Sequence, residues 1–233
     1  MTAPWDNPGR DYEEVVYQQF SPSPGTRAAL AVLAAAVTPV VWPLAVLTRR
    51  SGLLFRSASE ALSLVPYAVG VVLRGQFYRH ALRRCGRNLV VEFGAVFVYP
   101  EVSVGDNVLI GRYTIVHHCD IGDHALIGER CTFLSGSRQH RFTRTDVPMA
   151  LQGGQRRRIG VGRDTWIGSH SVVMDDVGEG SVVAAASVVT EAVAPGSVVA
   201  GNPARLRRTR GVDSPRPNGA AQLSADGPGE TRP

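Results

Sequence analysis

The chain has 233 residues, of which 44% are hydrophobic and 19% are charged, so it is long enough for one good-sized folded domain with appendages. Its net charge of +5 raises nucleic acid as a partner, but all 25 basic residues are arginine, in a chain rich in Ala, Gly, Val and Pro, which indicates GC-rich codon usage. Only 7% of the residues are aromatic, too few for a base-stacking platform, and we therefore expect no nucleic-acid partner.

The N-terminal region combines a polar arm with a long apolar segment. Residues 1–26 end in SPSPG and are predicted to be a flexible arm, and their four acidic residues argue against a cleavable signal peptide. Residues 28–47 then run for 20 positions without a charge, long enough to span the apolar thickness of a bilayer, about 30 Å. Pro39 and Pro43 are expected to kink or break a helix there. A spanning helix, a membrane-dipping hairpin, a pair of surface helices and a buried helix of a soluble protein therefore all remain open.

The charges on either side of the apolar segment indicate an orientation. Residues 1–27 contain two arginines against four acidic residues, whereas residues 48–87 contain eight arginines against Glu60 alone. The positive-inside rule puts the part of the chain after the segment in the cytoplasm. A second apolar stretch, residues 61–73, is followed by RGQFYRHALRR and is predicted to be an interfacial helix whose arginines reach lipid phosphates. We expect residues 27–87 to form a membrane-associated helical region at the cytoplasmic face, with a soluble cytoplasmic protein as the alternative.

Hydrophobic residues recur at every sixth position through the remainder of the chain, in four groups of three. A helix with 3.6 residues per turn cannot put every sixth residue on one face, whereas short strands separated by turns can. Four places after many of them stands a small or β-branched residue, which leaves room for the large neighbours inside a narrow prism. The groups are Val104, Ile110 and Val116; Ile121, Ile127 and Phe133; Val161, Ile167 and Val173; and Val177, Val183 and Val189, and the small positions are Val108, Thr114, Ala125, Cys131, Thr165, Ser171, Ser181 and Ser187. The period predicts a mainly β solenoid of short stacked strands.

A long stretch interrupts the period between the second and third groups, and the period stops after the fourth group. Residues 134–158 do not follow it, and a stretch of 25 residues without repeat structure inside a solenoid is typical of a functional loop. This predicted protruding loop contains a single histidine, His140. Residues 211–233 are rich in Pro, Gly and polar residues and are predicted to be a disordered tail.

Three sequence stretches resemble a known family. They are VGRDTWIGSHSVV from residue 161, VVAAASVVTEAV from residue 182 and VVAGNPARLRR from residue 198. Together they resemble the hexapeptide-repeat acyltransferases, and most closely the galactoside, maltose, xenobiotic and colanic-acid O-acetyltransferases. The resemblance implies a left-handed parallel β-helix over residues 88–210, a homotrimer with clefts between subunits, and transfer of an acetyl group from acetyl-CoA to a hydroxyl, with no metal required.

The resemblance also assigns residues. It makes His140 the catalytic base, because the family carries its catalytic histidine on an extended loop at this point. Glu191 stands where the family often has lysine, which removes one phosphate contact. The residues that match positions along the coenzyme A arm and nucleotide are Trp166, Ser169, Ala185, Thr190, Arg205 and Arg208. Such a site works by direct transfer: neutral His140 takes the proton of the attacking hydroxyl, and no covalent acyl-enzyme forms.

Other reactive side chains have less specific roles. His117, His118 and Arg138 are candidates for the acceptor side of the site. His124 and His170 fall at outward turn positions, where a solvated or interface role is expected. The three cysteines have no CxxC spacing and no even count, so neither a disulfide framework nor a zinc site is indicated. Cys131 occupies a small interior position and is expected to be buried, not nucleophilic.

Two other functions remain as alternatives. The same β-helix also carries metal-dependent carbonic anhydrases, but these need three histidines converging from neighbouring coils, and the spacing here does not supply them. A non-catalytic trimeric scaffold at the membrane is the second alternative. For an acetyltransferase, the expected acceptor depends on the apolar region. If residues 28–84 hold the chain at a membrane, we expect a lipid-linked sugar or polysaccharide precursor. If they do not, we expect a soluble sugar or another small molecule.

Overall fold

The computed structural model describes residues 23–211. Most of the predicted N-terminal arm and nearly all of the predicted C-terminal tail lie outside that range. Three helices come first: α1 (Pro24–Thr48), α2 (Gly52–Ser63) and α3 (Tyr67–Ala81). The helical region is followed by a solenoid of short parallel strands. The chain therefore has the predicted fold class, a mainly β parallel helix with an apolar helical region at its N-terminal end.

Helix α1 is continuous, contrary to the break expected at its prolines. Ser23 caps it by accepting a hydrogen bond from the Thr26 N–H at 3.3 Å, and Pro24 occupies the first turn, where a missing N–H costs nothing. Pro39 and Pro43 are four residues apart, so both lie on the same exposed side of the helix. The carbonyls that they leave without an intrahelical donor therefore face outward, and the helix passes through both positions.

Helix α1 lies along α3 and buries only one narrow stripe. Val41, Ala45 and Thr48 are buried, and within residues 23–211 α1 is the one helix long and apolar enough to cross a membrane. Only 11% of its most apolar 18-residue window is buried. Thr38 Oγ1 donates a hydrogen bond to Gln76 Oε1 of α3 at 3.3 Å. The interpretation of residues 28–47 as a buried core helix is therefore wrong for the single chain, since most of this helix is exposed.

The second apolar stretch is not one helix. Helix α2 ends at Ser63 and α3 begins at Tyr67, because Pro66 cannot continue a helix and instead stands at the N-cap of α3. The expectation that the arginines after this stretch extend toward lipid fails for Arg74, which is completely buried. Backbone carbonyls surround its guanidinium in place of lipid phosphates.

An aromatic cluster joins the helices to the first coil of the solenoid. Phe55 of α2 and Phe77 and Tyr78 of α3 are fully buried, and the Tyr78 and Phe97 rings lie edge to face with centroids 4.6 Å apart. The Tyr78 hydroxyl bonds Ser59 Oγ at 2.6 Å, and burial raises the pKa of Tyr78 to about 12. The helical region and the solenoid therefore share one continuous core.

The solenoid has three faces, each formed by one sheet. The first face is the sheet β1-β4-β7-β10, the second is β2-β5-β8-β11-β13-β15-β16, and the third is β3-β6-β9-β12-β14. Within each sheet the neighbours are parallel, except that β16 runs antiparallel to β15 and closes the second face. The strands are β1 (Arg84–Cys85), β2 (Val90–Val91), β3 (Val96–Phe97), β4 (Ser103–Val104), β5 (Leu109–Ile110), β6 (Ile115–Val116), β7 (Cys119–Ile121), β8 (Leu126–Ile127), β9 (Thr132–Phe133), β10 (Ile159–Val161), β11 (Trp166–Ile167), β12 (Val172–Val173), β13 (Val182–Val183), β14 (Val188–Val189), β15 (Ser197–Ala200) and β16 (Arg205–Thr209).

Every residue that the six-residue period assigned to the interior is buried. All twelve large positions are at most 3% exposed, and all eight small positions are at most 1% exposed. The columns are in register from coil to coil: Ile167 pairs with Ile127 on one side and with Val183 on the other. The predicted interior is confirmed.

The solenoid begins one coil earlier than the repeats recognised in the sequence. Cys85, Val91 and Phe97 also stand six residues apart, and they pair in parallel with the columns of the next coil. β1 begins at Arg84, before residue 88, where the sequence put the boundary. The period itself carried this signal, but the step from Phe97 to Val104 is seven residues and conceals it.

Replacing Phe133 by alanine tests the packing of the prism. The Phe133 ring is fully buried, so Phe133→Ala should cost about 3–5 kcal/mol of the free energy of unfolding, through lost burial and a cavity. The neighbouring Thr132 is only partly buried, and Thr132→Ala should cost less than about 1 kcal/mol. Urea unfolding followed by far-ultraviolet circular dichroism measures both, and equal losses would contradict the inward and outward assignment.

Candidate functional site

A groove of about 780 Å³ runs along the outer side of the second face. Its apolar wall is a column of outward side chains that pair from coil to coil, including Leu126, Trp166 and Val182. Trp166 is 56% exposed because it alternates with the inward Ile167 on a two-residue strand. The groove thus combines an apolar wall with a large exposed indole ring.

Four of the six residues expected to contact coenzyme A line this groove. They are Trp166, Ser169, Ala185 and Arg208. Gly168 makes the close stacking of Ser169 and Ala185 possible, because a Cβ at this position would lie 2.4 Å from the Ala185 nitrogen. Ser169 Oγ accepts a hydrogen bond from the Glu129 N–H at 3.2 Å. Positions far apart in the sequence are therefore brought together at one corner of successive coils.

Thr190 and Arg205, the other two expected contacts, do not line the groove. Arg205 lies at the start of β16, and its Nη1 is 4.0 Å from Glu191 Oε2, with both side chains mostly exposed. Arg208 lies at the other end of β16, opposite Val198 of β15. Of the two arginines that the sequence assigned jointly to the nucleotide end, Arg208 lines the groove and Arg205 does not.

His140 lies on the loop of residues 134–158, which folds back on itself. The Arg141 N–H bonds the Gly153 carbonyl at 2.9 Å, and the Gln155 N–H bonds the Arg138 carbonyl at 2.8 Å. His140 is exposed, and its side chain makes no hydrogen bond or ion pair with any residue between 23 and 211. It is not among the residues that line the groove. Within a single chain, hydrogen bonds therefore hold the backbone around His140 in place, but the His140 imidazole is not part of the groove.

Ion pairs anchor the base of the loop. Arg157 bonds the carboxylates of Asp175 and Asp176, the second at 2.9 Å. Burial raises the pKa of Asp176. The hydrogen bonds from Arg157 and from the Gly160 N–H together outweigh burial, so the net shift of the pKa is downward. The carboxylate is therefore ionised at neutral pH, and the loop returns to the solenoid at a fixed point.

The acceptor-side candidates meet at the corner between the third and first faces. The His118 ring stacks on Tyr99 with centroids 4.1 Å apart, and Arg156 lies over the Tyr99 ring at 5.4 Å. His117 is tilted against the same tyrosine at 6.0 Å. Burial lowers the pKa of both histidines, so both are neutral at pH 7. Arg138 lines a neighbouring cavity of about 570 Å³ together with Arg156.

Tyr99 is the residue of this cluster that sequence reasoning missed, whereas the three consecutive arginines 156–158 could be expected to bind an anionic acceptor or the membrane face. Tyr99 lies in the seven-residue step between Phe97 and Val104, and an aromatic residue in such an irregular corner is the signal that could have identified it. Arg156 is one of three consecutive arginines, and the sequence does not distinguish it from Arg157, which holds the loop.

The cysteines do not supply a nucleophile. Cys119 and Cys131 are fully buried, and burial raises the pKa of both thiols. Cys85 is partly buried, and burial raises the pKa of its thiol to about 11. All three are free thiols that are protonated at neutral pH. In the described part of the chain, no group of three or more His, Cys, Asp or Glu side chains could hold a metal ion.

Comparisons with known proteins agree with this fold. The family model described as bacterial transferase hexapeptide (six repeats) matches residues 101–135. No curated protein sequence matches the chain. A hexapeptide-repeat-containing acetyltransferase from Vibrio cholerae is 27% identical, with a TM-score of 0.58 over 68% of this chain and 92% of that one. The same protein complexed with acetyl coenzyme A has a TM-score of 0.57 over 66% and 86%.

A second solved structure shows the same fold. It is a maltose O-acetyltransferase from Clostridium difficile 630, 20% identical, with a TM-score of 0.59 over 68% of this chain and 88% of that chain. Together with the buried six-residue period and the three parallel sheets, these matches show that the chain contains hexapeptide repeats and has the β-helix fold seen in hexapeptide-repeat acetyltransferases.

Proposed function

We propose that the chain is an acetyltransferase that moves an acetyl group from acetyl-CoA to a hydroxyl of a sugar or a related small molecule. The observation that carries this proposal is the groove on the second face, which Trp166, Ser169, Ala185 and Arg208 line together. A relative 27% identical in sequence is an acetyltransferase whose structure was solved with acetyl coenzyme A, which supports the same donor here.

The chemistry of the groove suits coenzyme A. Its volume of about 780 Å³ and its apolar wall suit the thin pantetheine arm, whose amides can pair with backbone groups at the coil corner around Ser169 and Ala185. Arg208 lines the groove and is suited to contact a phosphate of the coenzyme, because a guanidinium binds phosphate oxygens in a planar, bidentate manner. Thr190 and Arg205 do not line the groove of the single chain, and their contacts with the pantetheine arm and with the nucleotide, respectively, stay predictions.

His140 is proposed as the base in a direct transfer. Its neutral imidazole takes the proton of the acceptor hydroxyl while that oxygen bonds to the thioester carbonyl carbon. The tetrahedral oxyanion then collapses, the carbon–sulfur bond breaks, and the imidazolium returns the proton to the departing thiolate. This transfer needs no covalent enzyme intermediate, in agreement with the buried, protonated thiols of Cys119 and Cys131.

A homotrimer would complete this site. The loop that carries His140 also exposes three large apolar side chains, Phe142, Met149 and Leu151. Exposed apolar side chains on the same loop as an unpartnered imidazole favour docking of the loop on a neighbouring subunit. In that arrangement His140 would meet the groove of the adjacent copy.

The acceptor side is proposed to be the corner that holds His117, His118 and Tyr99. The stacked Tyr99 and His118 rings offer a flat apolar surface with polar edges, which suits the face of a sugar ring. Arg138 and Arg156 beside it favour an acceptor that carries a negative charge. A lipid-linked glycan precursor has both features.

Replacing His140 by alanine tests the reaction. His140→Ala should lower acetyl transfer from labelled acetyl-CoA to candidate sugars by about 10²–10⁴-fold, because a positioned general base contributes that much. Acetyl-CoA binding, measured by calorimetry, should be unchanged. His124→Ala is the matched control, since His124 is exposed at an outward turn and should not affect transfer.

The outcomes separate three possibilities. Undiminished transfer by His140→Ala would remove this residue from the mechanism. Failure of the unmodified chain to bind acetyl-CoA would favour a non-catalytic scaffold. With transfer established, mass spectrometry of surface glycans from cells carrying His140→Ala should show lost acetyl groups, and unaltered glycans would contradict a glycan acceptor.

The assembly can be tested on the same loop. We expect the purified chain to have the mass of three copies by light scattering. Leu151 is 75% exposed, and Leu151→Asp should dissociate the assembly because it puts a charge into the proposed contact. Leu53→Asp is the control, since Leu53 is exposed in the first turn of α2, where an acidic residue is favourable. A monomeric unmodified chain would contradict the trimer.

We also propose that the helical region holds the enzyme on the cytoplasmic face of a membrane, with α1 lying in the plane of the surface. Two hydrogen bonds support this orientation: Thr38 to Gln76, and Arg49 Nη2 to the Leu82 carbonyl at 3.3 Å. Both tie α1 along the polar-ended α3, and a spanning α1 would have to break them. The exposed apolar side of α1 is then free to enter the headgroup region.

Charged substitutions on α1 test the membrane proposal. Val32 is 72% exposed and Val40 is 76% exposed, so the double variant Val32→Glu, Val40→Glu should fold normally but move from the membrane fraction to the soluble fraction. The double variant Ala192→Glu, Ala194→Glu is the control, because both alanines are exposed at the opposite end of the solenoid. Equal distribution of both variants would contradict membrane attachment through α1.

A further inference from the structure

A second cavity lies where the helical region meets the first two coils. It has a volume of about 460 Å³ and shares no lining residue with the groove on the second face. One wall is the first turn of α3, with Tyr67 and Ala68, and the other is the corner of the first two coils, with Phe93 and Tyr113. Arg74 of α3 is also part of its lining.

Arg74 is the most unusual residue of this cavity. It is fully buried, and three of its neighbours at the α2–α3 connection offer carbonyls to Nη1: Leu62 at 3.0 Å, Ser63 at 3.4 Å and Val65 at 2.7 Å. Its Nε donates to the Val91 carbonyl at 2.8 Å. Nη2 has no hydrogen-bond partner anywhere in the described residues. The two N–H bonds of Nη2 are therefore unsatisfied in a buried cation that lines the cavity.

No carboxylate neutralises this guanidinium. Between residues 23 and 211, Arg74 has no acidic side chain within ion-pair distance. Glu92 lines the same cavity, but its Oε2 lies 3.9 Å from Nε of Arg112, a second cation at the rim. Burial lowers the pKa of Arg74 although Glu92 acts on it from a distance, and a buried charge held mainly by carbonyl dipoles costs free energy that an oxyanion in the cavity would recover.

The first turn of α3 adds positive potential on the same side. Pro66 at the N-cap makes no side-chain capping bond, so the first backbone N–H groups of this 15-residue helix have no side-chain acceptor from the cap. The N-terminal end of a helix favours anions through these groups and through its dipole. The first turn of α3 and the Arg74 side chain thus line one cavity.

The cavity depends on a specific close contact. A Cβ at Gly70 would lie 1.9 Å from the Val65 carbonyl oxygen and 2.7 Å from Arg74 Nη1. Glycine is therefore needed for the α2–α3 connection to close around the guanidinium. The opposite wall is apolar, with the Phe93 and Tyr113 rings edge to face at 5.7 Å. The cavity joins a cationic floor to an aromatic wall.

We propose that this cavity binds the phosphate group of a ligand, with a phosphate oxygen accepting from Nη2 of Arg74 and the rest of the ligand against Phe93 and Tyr113. The phosphate belongs either to a lipid headgroup or to a soluble phosphorylated compound. Leu64 and Tyr67 are exposed near the cavity, which suits entry of a headgroup from a membrane surface. The site is independent of acetyl transfer.

The test uses a substitution that leaves Arg74 in place. Ala68 is exposed in the first turn of α3, so Ala68→Glu favours the helix through its dipole while putting a negative charge at the cavity. Ala194→Glu on the last coil makes the same change in net charge far from it. The full chain and both variants are titrated with inorganic phosphate by calorimetry, and are sedimented with phosphatidylcholine vesicles that contain or lack phosphatidic acid.

The expected result is that Ala68→Glu weakens phosphate-dependent binding by about tenfold or more, while Ala194→Glu binds like the unmodified chain. Saturable binding of inorganic phosphate indicates a soluble ligand, and binding only to vesicles with phosphatidic acid indicates a headgroup; either supports the site. Absence of both forms of binding in the unmodified chain, or equal binding by the two variants, would overturn the proposal.

Discussion

Hydrogen bonding between successive coils is the constraint on which the rest of the structure depends. The Gly128 N–H bonds the Ile167 carbonyl at 2.8 Å, and the Gly168 N–H bonds the Val183 carbonyl at 2.7 Å. Parallel strands bonded in this way stay about 4.8 Å apart, so each position of a coil becomes one step of a vertical column. Inside, the columns must alternate large and small residues. Outside, they bring residues of different coils into one groove, although the sequence separates them.

The same constraint explains why the loop of residues 134–158 can be long. β9 and β12 remain paired in register on the third face, with Phe133 beside Val173, and β7 and β10 remain paired on the first. The insertion therefore leaves the columns intact, and the Arg157 ion pairs hold its base. A rigid solenoid tolerates a projecting segment at a corner, and this segment carries the proposed base, His140.

Columns are predictable from sequence because one residue in six decides each of them. Every large and small interior position that the period predicted is buried. Corners are less predictable: stacking of His118 on Tyr99 depends on two irregular steps in different coils. Arg74 could not be predicted to be buried, because its acceptors are carbonyls, which any sequence supplies. The continuity of α1 through its prolines likewise depends on which side of the helix is exposed. The His140 side chain does not line the groove of its own chain, so its position in the sequence could not predict how it meets the groove.

The aromatic core that joins the helices to the first coil also covers one end of the solenoid. A parallel solenoid has two open ends, and the unpaired N–H and C=O groups at each could pair with another chain and extend a fibre. Phe55, Phe77 and Tyr78 hold α2 and α3 over the end formed by β1 to β3. At the other end β16 reverses direction and occupies the edge of β15. Each chain thus limits its own polymerisation, and the number of coils is fixed by the chain itself.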